Sequence, residues 1–545
     1  MTKRITLAAP LLALLLAATT AVRAHSPDES DHSHGKTGKP PEQLGRVSFD
    51  NSCTPAVQAR FERAMALLHS FWWREGEQAF REVLERDPNC AIATWGIATI
   101  LIGNPFAGGP NPAQVQQAKE AIERGRAIGA KTERERMFVE AVAQYFGGAT
   151  ERTHGARIRS LSDAFENVAK RFPDDDEAQI FSALYLTVTQ DLTEKTFASA
   201  LKAAAVLEAQ SRKYPDHPGA AHYLIHSYDY PPIADKGLQA ARRYTDIAPS
   251  APHALHMPSH IFTRVGAWQD SVASNLRSAN VAKAAGDFDD QLHAMDYLEY
   301  AYLQLAQDAA ARRVVAEATD VDKSANPALG EAYARAAIPA RYAMERGAWK
   351  EAAQLQPQPT RFAFIKAGTH YARALGAARS GDAAAAERDV QELAHIVDTL
   401  KAARNAYWAT EVEVQRLGAS AWIAFARGNR EAAIDLMRAA ADLEDTSEKH
   451  GVSPGRLVPA RELLGDMLLE SGKPAEALAQ FERSQVRDPN RFRSLYGAGQ
   501  AAAQSGNRDA AHHYFKRLLD MAGSGERRPE LENARQFLAK AAQRP

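Results

Sequence analysis

Apolar residues recur along most of this chain at three- and four-residue intervals, with charged residues filling the faces between them. Residues 50–540 therefore read as successive amphipathic helices rather than strands. The pattern is itself periodic. Gly465, Gly472, Ala477 and Phe481 return 34 residues later as Gly499, Gly506, Ala511 and Phe515, and Gly347 and Ala352 return as Gly381 and Ala386. Asp488–Pro489–Asn490 closes the first of these units, and Asp87–Pro88–Asn89 follows Phe80 in the same way near the other end. Small residues at fixed places in such a period predict helix pairs that pack closely. One pair cannot bury its apolar face alone, so neighbours stack, giving roughly a dozen units, several lengthened by loops. The expected fold is all-α, a right-handed α-solenoid.

This spacing resembles the tetratricopeptide repeat (TPR) superfamily. The array is expected in two stretches, residues 49–310 and residues 311–540. Three segments, DPNCAIATWGIA, HPGAAHYLIHSYD and APHALHMPSHIFTRVGAW, further resemble a group of exported bacterial TPR proteins over about residues 50–300. That resemblance implies fold and export. It brings no settled reaction, so no catalytic residues are carried over. In the TPR family the first helix of each unit lines a concave groove, which implies a protein or peptide partner there.

The first residues depart from the repeat. Lys3 and Arg4 precede an apolar run from Ile5 to Ala18, and Val22 and Ala24 stand at the −3 and −1 places of a cleavage site. Residues 1–24 read as a signal peptide, and cleavage would leave His25 first. The apolar run is too short to span a bilayer and no later one replaces it. The expected location is the periplasm or the outside of the cell. Residues 25–48, polar and containing His25, His32 and His34, read as a disordered tail, either a solvated linker or a metal scavenger.

A formal net charge of −1 gives no electrostatic footprint for nucleic acid. Cys53 and Cys90 bracket the first unit and are the only cysteines. In an oxidising compartment they predict a disulfide rather than a redox pair, since they are not spaced as Cys-x-x-Cys.

Histidine is the residue whose placement carries chemistry. Five of the 17 fall within residues 222–260. His222 and His226 form one HxxxH pair, and His256 and His260 form another, displaced by one 34-residue period. Residues at i and i+4 share a helix face, so each pair presents two imidazoles to one point. Neighbouring helices at roughly 8–10 Å let both pairs converge on one ion, with His253 and His293 at the edge. Imidazole sets suit a transition metal, here zinc or copper. Asp229, Asp296 and Tyr228 are candidate ligands or supporting groups. Pro258 costs the second helix little if that helix begins near Leu255.

Two other readings compete with the metal: a plain peptide-binding or assembly scaffold with structural histidines, and a metal-dependent hydrolase or other metalloenzyme. Catalysis has no motif in its favour. The chain lacks HExxH, a haem attachment, a phosphate loop and a G-x-S-x-G elbow. His69, with Trp72, Trp73 and Trp95, reads as repeat core. His154, His370, His395, His450, His512 and His513 read as surface or packing residues. The acidic run Asp174–Glu177 reads as a helix N-terminal charge cap.

Overall fold

A computed structural model of the protein describes residues 42–542. The expected signal peptide and His25, His32 and His34 lie outside the described residues. Among those described, 26 α-helices and two 3-10 turns account for the regular structure, and there are no strands. The fold is an all-α solenoid of TPR-like helix pairs, and from Gln43 onward it forms one compact unit. No helix among the described residues is long and apolar enough to cross a membrane.

The repeated residues explain the repeated geometry. Helix Ala460–Glu470 pairs with Pro474–Arg487, and Phe492–Gln504 pairs with Arg508–Ala522. The Phe481 ring sits where a Cβ on Gly465 would come within 2.6 Å of it, and one on Gly497 within 2.3 Å. Phe515 lies the same way against Gly499, at 2.5 Å. Any side chain at these glycines would push the paired helices apart, so the Gly–Phe pairing is a close-packing device repeated at the array's period. Gly472 and Gly506 turn the chain between the two helices at φ of +72° and +81°, a left-handed conformation that strains other residues.

Residues 43–48, which composition assigns to the tail, are instead packed. Leu44 and Val47 are buried, and Arg46 N–H donates to the Asp216 carbonyl at 2.9 Å. Cys53 and Cys90 form a disulfide with a Cα–Cα distance of 4.7 Å. Closing that 37-residue separation stabilises the first unit by about 3–4 kcal/mol in the chain-entropy model.

Packing is continuous through residues 310 and 311. Helix Phe288–Gln304 lies against both Asp308–Asp320 and Leu329–Glu345. Distant repeats also return to the middle of the chain. Trp268 Nε1–H donates to the Asn490 carbonyl at 2.7 Å, and Glu526 N–H donates to that of Ala306 at 2.8 Å.

Candidate metal centre

Three consecutive inner helices supply the histidines. In helix Pro218–Tyr228 every residue is buried, with His222 and His226 one turn apart. His217 caps its start, with Nδ1 accepting from Ala220 N–H at 3.2 Å. The next histidine helix begins at Pro252, not near Leu255, so Pro258 falls in its interior. The helix divides into Pro252–His256 and Pro258–Val265 around Met257. Proline lacks the N–H that would continue the ladder, and His260 N–H bonds the Met257 carbonyl three residues back. The adjustment keeps His256 and His260 on one side. His293 comes from helix Phe288–Gln304.

The six histidines gather into two contiguous sets of three rather than four with two at the edge. His222, His226 and His253 form one set and His256, His260 and His293 the other, with ligand atoms in each set all within 4.8 Å of one another. The His226 and His260 rings link the sets, their centroids 5.7 Å apart.

Hydrogen bonds on the far ring nitrogens decide what the near ones can do. His222 Nδ1–H donates to the His69 carbonyl at 2.6 Å, leaving Nε2 as a lone-pair nitrogen. That Nε2, with Nε2 of His226 and of His253, is buried and has no hydrogen-bond partner. His253 Nδ1 faces Asp290 Oδ1 at 3.4 Å. In the second set, His256 Nδ1 meets Asn275 Oδ1 at 2.7 Å. The Asn275 amide is oriented by its NH₂ donating to the Ser271 carbonyl at 2.8 Å, so His256 must be the donor. His260 Nδ1–H donates to Asp229 Oδ2 at 2.9 Å. Both Nε2 atoms are then lone pairs, yet they face each other at 3.1 Å. Two ligands of a tetrahedral zinc ion stand about 3.3 Å apart. Donor, tautomer and spacing therefore fit a cation between these nitrogens.

Burial pushes His222, His226, His256 and His293 well below the usual imidazole range, and the neighbouring imidazoles push further the same way. His253 is pushed down to about 4, chiefly by burial. His260 is lowered by burial against the opposing pull of Asp229. The rings are neutral, the state in which imidazole binds metal. Asp229 itself is buried, which opposes ionisation, but Lys449 and Arg264 hold its carboxyl well below the usual range.

A third buried group lies behind the first set. His69 Nε2 and His217 Nε2 contact the two oxygens of Glu177 at 3.0 and 2.9 Å, and His69 Nδ1 bonds Tyr223 Oη at 2.9 Å. Every polar atom of this trio has a partner within the protein, so it is a satisfied core network. His69 is thus core, as its sequence context indicates. The acidic run is not wholly a helix cap, however. Asp175 caps helix Asp176–Val188, while Glu177 turns inward.

The set of six opens onto a cavity of about 650 Å³ reached by His226, His253, His260 and His293. Its other walls include Phe106, stacked on His226 at 4.1 Å, and Lys449, His450 and Val452. These last come from residues 445–459, between helices Arg430–Glu444 and Ala460–Glu470. Tyr297 Oη–H donates toward the Gly451 and Ser453 carbonyls at 2.8 and 3.1 Å, and Glu448 N–H donates to the Leu192 carbonyl at 2.8 Å. The segment is a pinned wall. Sequence spacing could not reveal Lys449 or His450, which stand 156 to 228 residues from the six histidines. His450 Nδ1 accepts from Val452 N–H, and His154 bonds Tyr145 and the Pro105 carbonyl. Two other candidates lie off the centre: Tyr228 bonds Glu208, and Asp296 pairs with Arg341.

The sequence profile of the tetratricopeptide repeat family matches residues 419–492 and 462–526. This part of the chain is therefore a tetratricopeptide array, a scaffold of the kind that mediates protein interactions, and helix pairs of the same construction precede it. No curated protein sequence matches the chain. One solved structure, the human IFIT1 dimer with m7Gppp-AAAA, aligns over 79% of this chain and 90% of that chain at 13% identity. Its TM-score of 0.32 is too low for any argument to rest on the likeness.

Proposed function

We propose that this is an exported tetratricopeptide scaffold holding transition-metal ions, zinc or copper, in its two sets of three histidines. The observation that carries the reading is the pair of facing lone-pair nitrogens, His256 Nε2 and His260 Nε2, 3.1 Å apart with both Nδ1 atoms engaged elsewhere. Three further unpartnered Nε2 atoms in the adjoining set support it. Outer groups such as Asp229, Asn275 and the His69 carbonyl fix ring orientation, as supporting groups do around bound metals. The basic, apolar and small-residue succession of residues 1–24 supports export, as does the Cys53–Cys90 disulfide. Three protein ligands leave a coordination position free, an arrangement of catalytic rather than structural zinc. With a cavity alongside, this favours a metalloenzyme as the second reading over a plain peptide scaffold.

Cobalt tests the reading in solution. Tag-free protein titrated with Co²⁺ should develop visible bands and reach about two equivalents, one for each tetrahedral-type set. The His226→Ala/His260→Ala variant, which breaks both sets, should show neither. A folded parent that takes up no cobalt and no zinc contradicts the proposal.

A further inference from the structure

The cavity beside the histidines contains a buried lysine that makes no hydrogen bond. Lys449 is 5% exposed, and its Nζ is buried without a hydrogen-bond partner. The nearest carboxylate oxygen, Asp229 Oδ1, is 3.8 Å away and already accepts from Arg264 Nε–H at 2.8 Å. The Tyr297 ring centroid lies 6.0 Å from Nζ. A buried ammonium with no acceptor is costly, and such groups persist where a ligand completes them. The surrounding wall is mixed: Ile102, Phe106, Leu192 and Phe362 line the space beside polar groups that include Asp289 and Asp290. The guanidinium groups of the wall, Arg74, Arg159 and Arg361, belong to residues that are not buried, with Arg361 bonded to Asn326 and Arg74 to Glu75. One buried cation without a hydrogen bond suits a single negative charge. A phosphate would call for several donors. A volume of about 650 Å³ admits an organic molecule rather than a bare ion.

We propose that this cavity binds a small organic molecule bearing one carboxylate, with Lys449 Nζ as its anchor beside the histidine centre. The proposal deepens the metal reading, because the same molecule would reach the face on which His260 and His293 open. Lys449 alone supplies the recognition it requires, so the two ideas fail separately.

Benzoate is the probe and benzamide its neutral counterpart. Calorimetric titration is run on the full chain, both metal-free and zinc-loaded. Benzoate should bind at least tenfold more tightly than benzamide in one or both forms. Lys449→Met should lose at least tenfold in benzoate affinity while leaving benzamide unchanged, and Lys449→Arg should restore part of the loss. The melting curve of Lys449→Met checks that the variant folds. Equal benzoate affinity in parent and folded Lys449→Met overturns the proposal, as does no preference of the parent for benzoate over benzamide. Zinc uptake measured on the same samples reports on the metal centre independently. Lys449-dependent benzoate binding without zinc uptake sustains the anchor and removes the metal.

Discussion

Two groups of buried histidines lie back to back in this molecule, and they differ in one respect. In the first, Glu177 bridges His69 and His217, and Tyr223 takes the remaining nitrogen of His69. In the second, His222, His256 and His260 are held from behind through Nδ1, and their Nε2 atoms point at other imidazoles. Both groups are within metal-binding distance on geometry alone. The difference is polar accounting: one group has paired every donor with an acceptor, and the other has collected lone pairs with no proton between them. Burial opposes charge in both. Glu177 nonetheless keeps its carboxyl below the usual range because two imidazoles face it, whereas the open cluster has no anion at its centre. The closed trio belongs to the fold and, through the His69 carbonyl, orients the open one.

The sharpest way to break the comparison is to unpair the closed trio. Glu177→Ala should cost about 3–5 kcal/mol in denaturant unfolding, because it strands two buried imidazoles. The loss should be the same with and without zinc. An equally large loss for metal-free His226→Ala would mean the open cluster is packing too.

Metal should act only on the open cluster. Zinc at one hundred times its dissociation constant should stabilise the parent by about 2.7 kcal/mol for each ion bound. Thermal unfolding should show no such shift in His226→Ala/His260→Ala. A persisting shift places the ion elsewhere.

Acid probes the open cluster next. His226 and His260 have folded-state pKa values depressed below 6.5, so below that pH the unfolded chain binds more protons than the folded one. Stability of the metal-free protein should therefore fall as pH drops from 6.5 to 5. Each such histidine contributes up to about 1.4 kcal/mol per pH unit. His226→Gln/His260→Gln should flatten the slope in denaturant titrations across that window. An unchanged slope means these rings do not resist protonation.

The smallest effect is the control. His512 and His513 are exposed on helix Arg508–Ala522, and replacing both by Ala should change stability by no more than about 0.5 kcal/mol in the same unfolding assay, with or without zinc.

What the sequence disclosed follows from range. The 34-residue recurrence of Gly465 and Phe481 is a local packing rule and could be read directly. The HxxxH pairs share that register, so their convergence follows from helix geometry plus one repeat step. Glu177 could not be separated from its acidic run, because the inward turn depends on imidazoles 108 and 40 residues away. Lys449 was hidden for the same reason, since only the return of residues 445–459 to the histidine helices brings it there. Pro258 misled in a smaller way. With a helix start near Leu255 it would fall in the first turn, but the helix begins at Pro252 and breaks to accommodate it.

Anomalous diffraction at the zinc edge from a zinc-soaked crystal of the tag-free protein tests the central claim most directly. Two peaks are expected inside the six-histidine cluster, each about 2 Å from Nε2 atoms of its set, and none between His69, Glu177 and His217. A cluster without a peak, or a peak in the closed trio instead, would contradict the account.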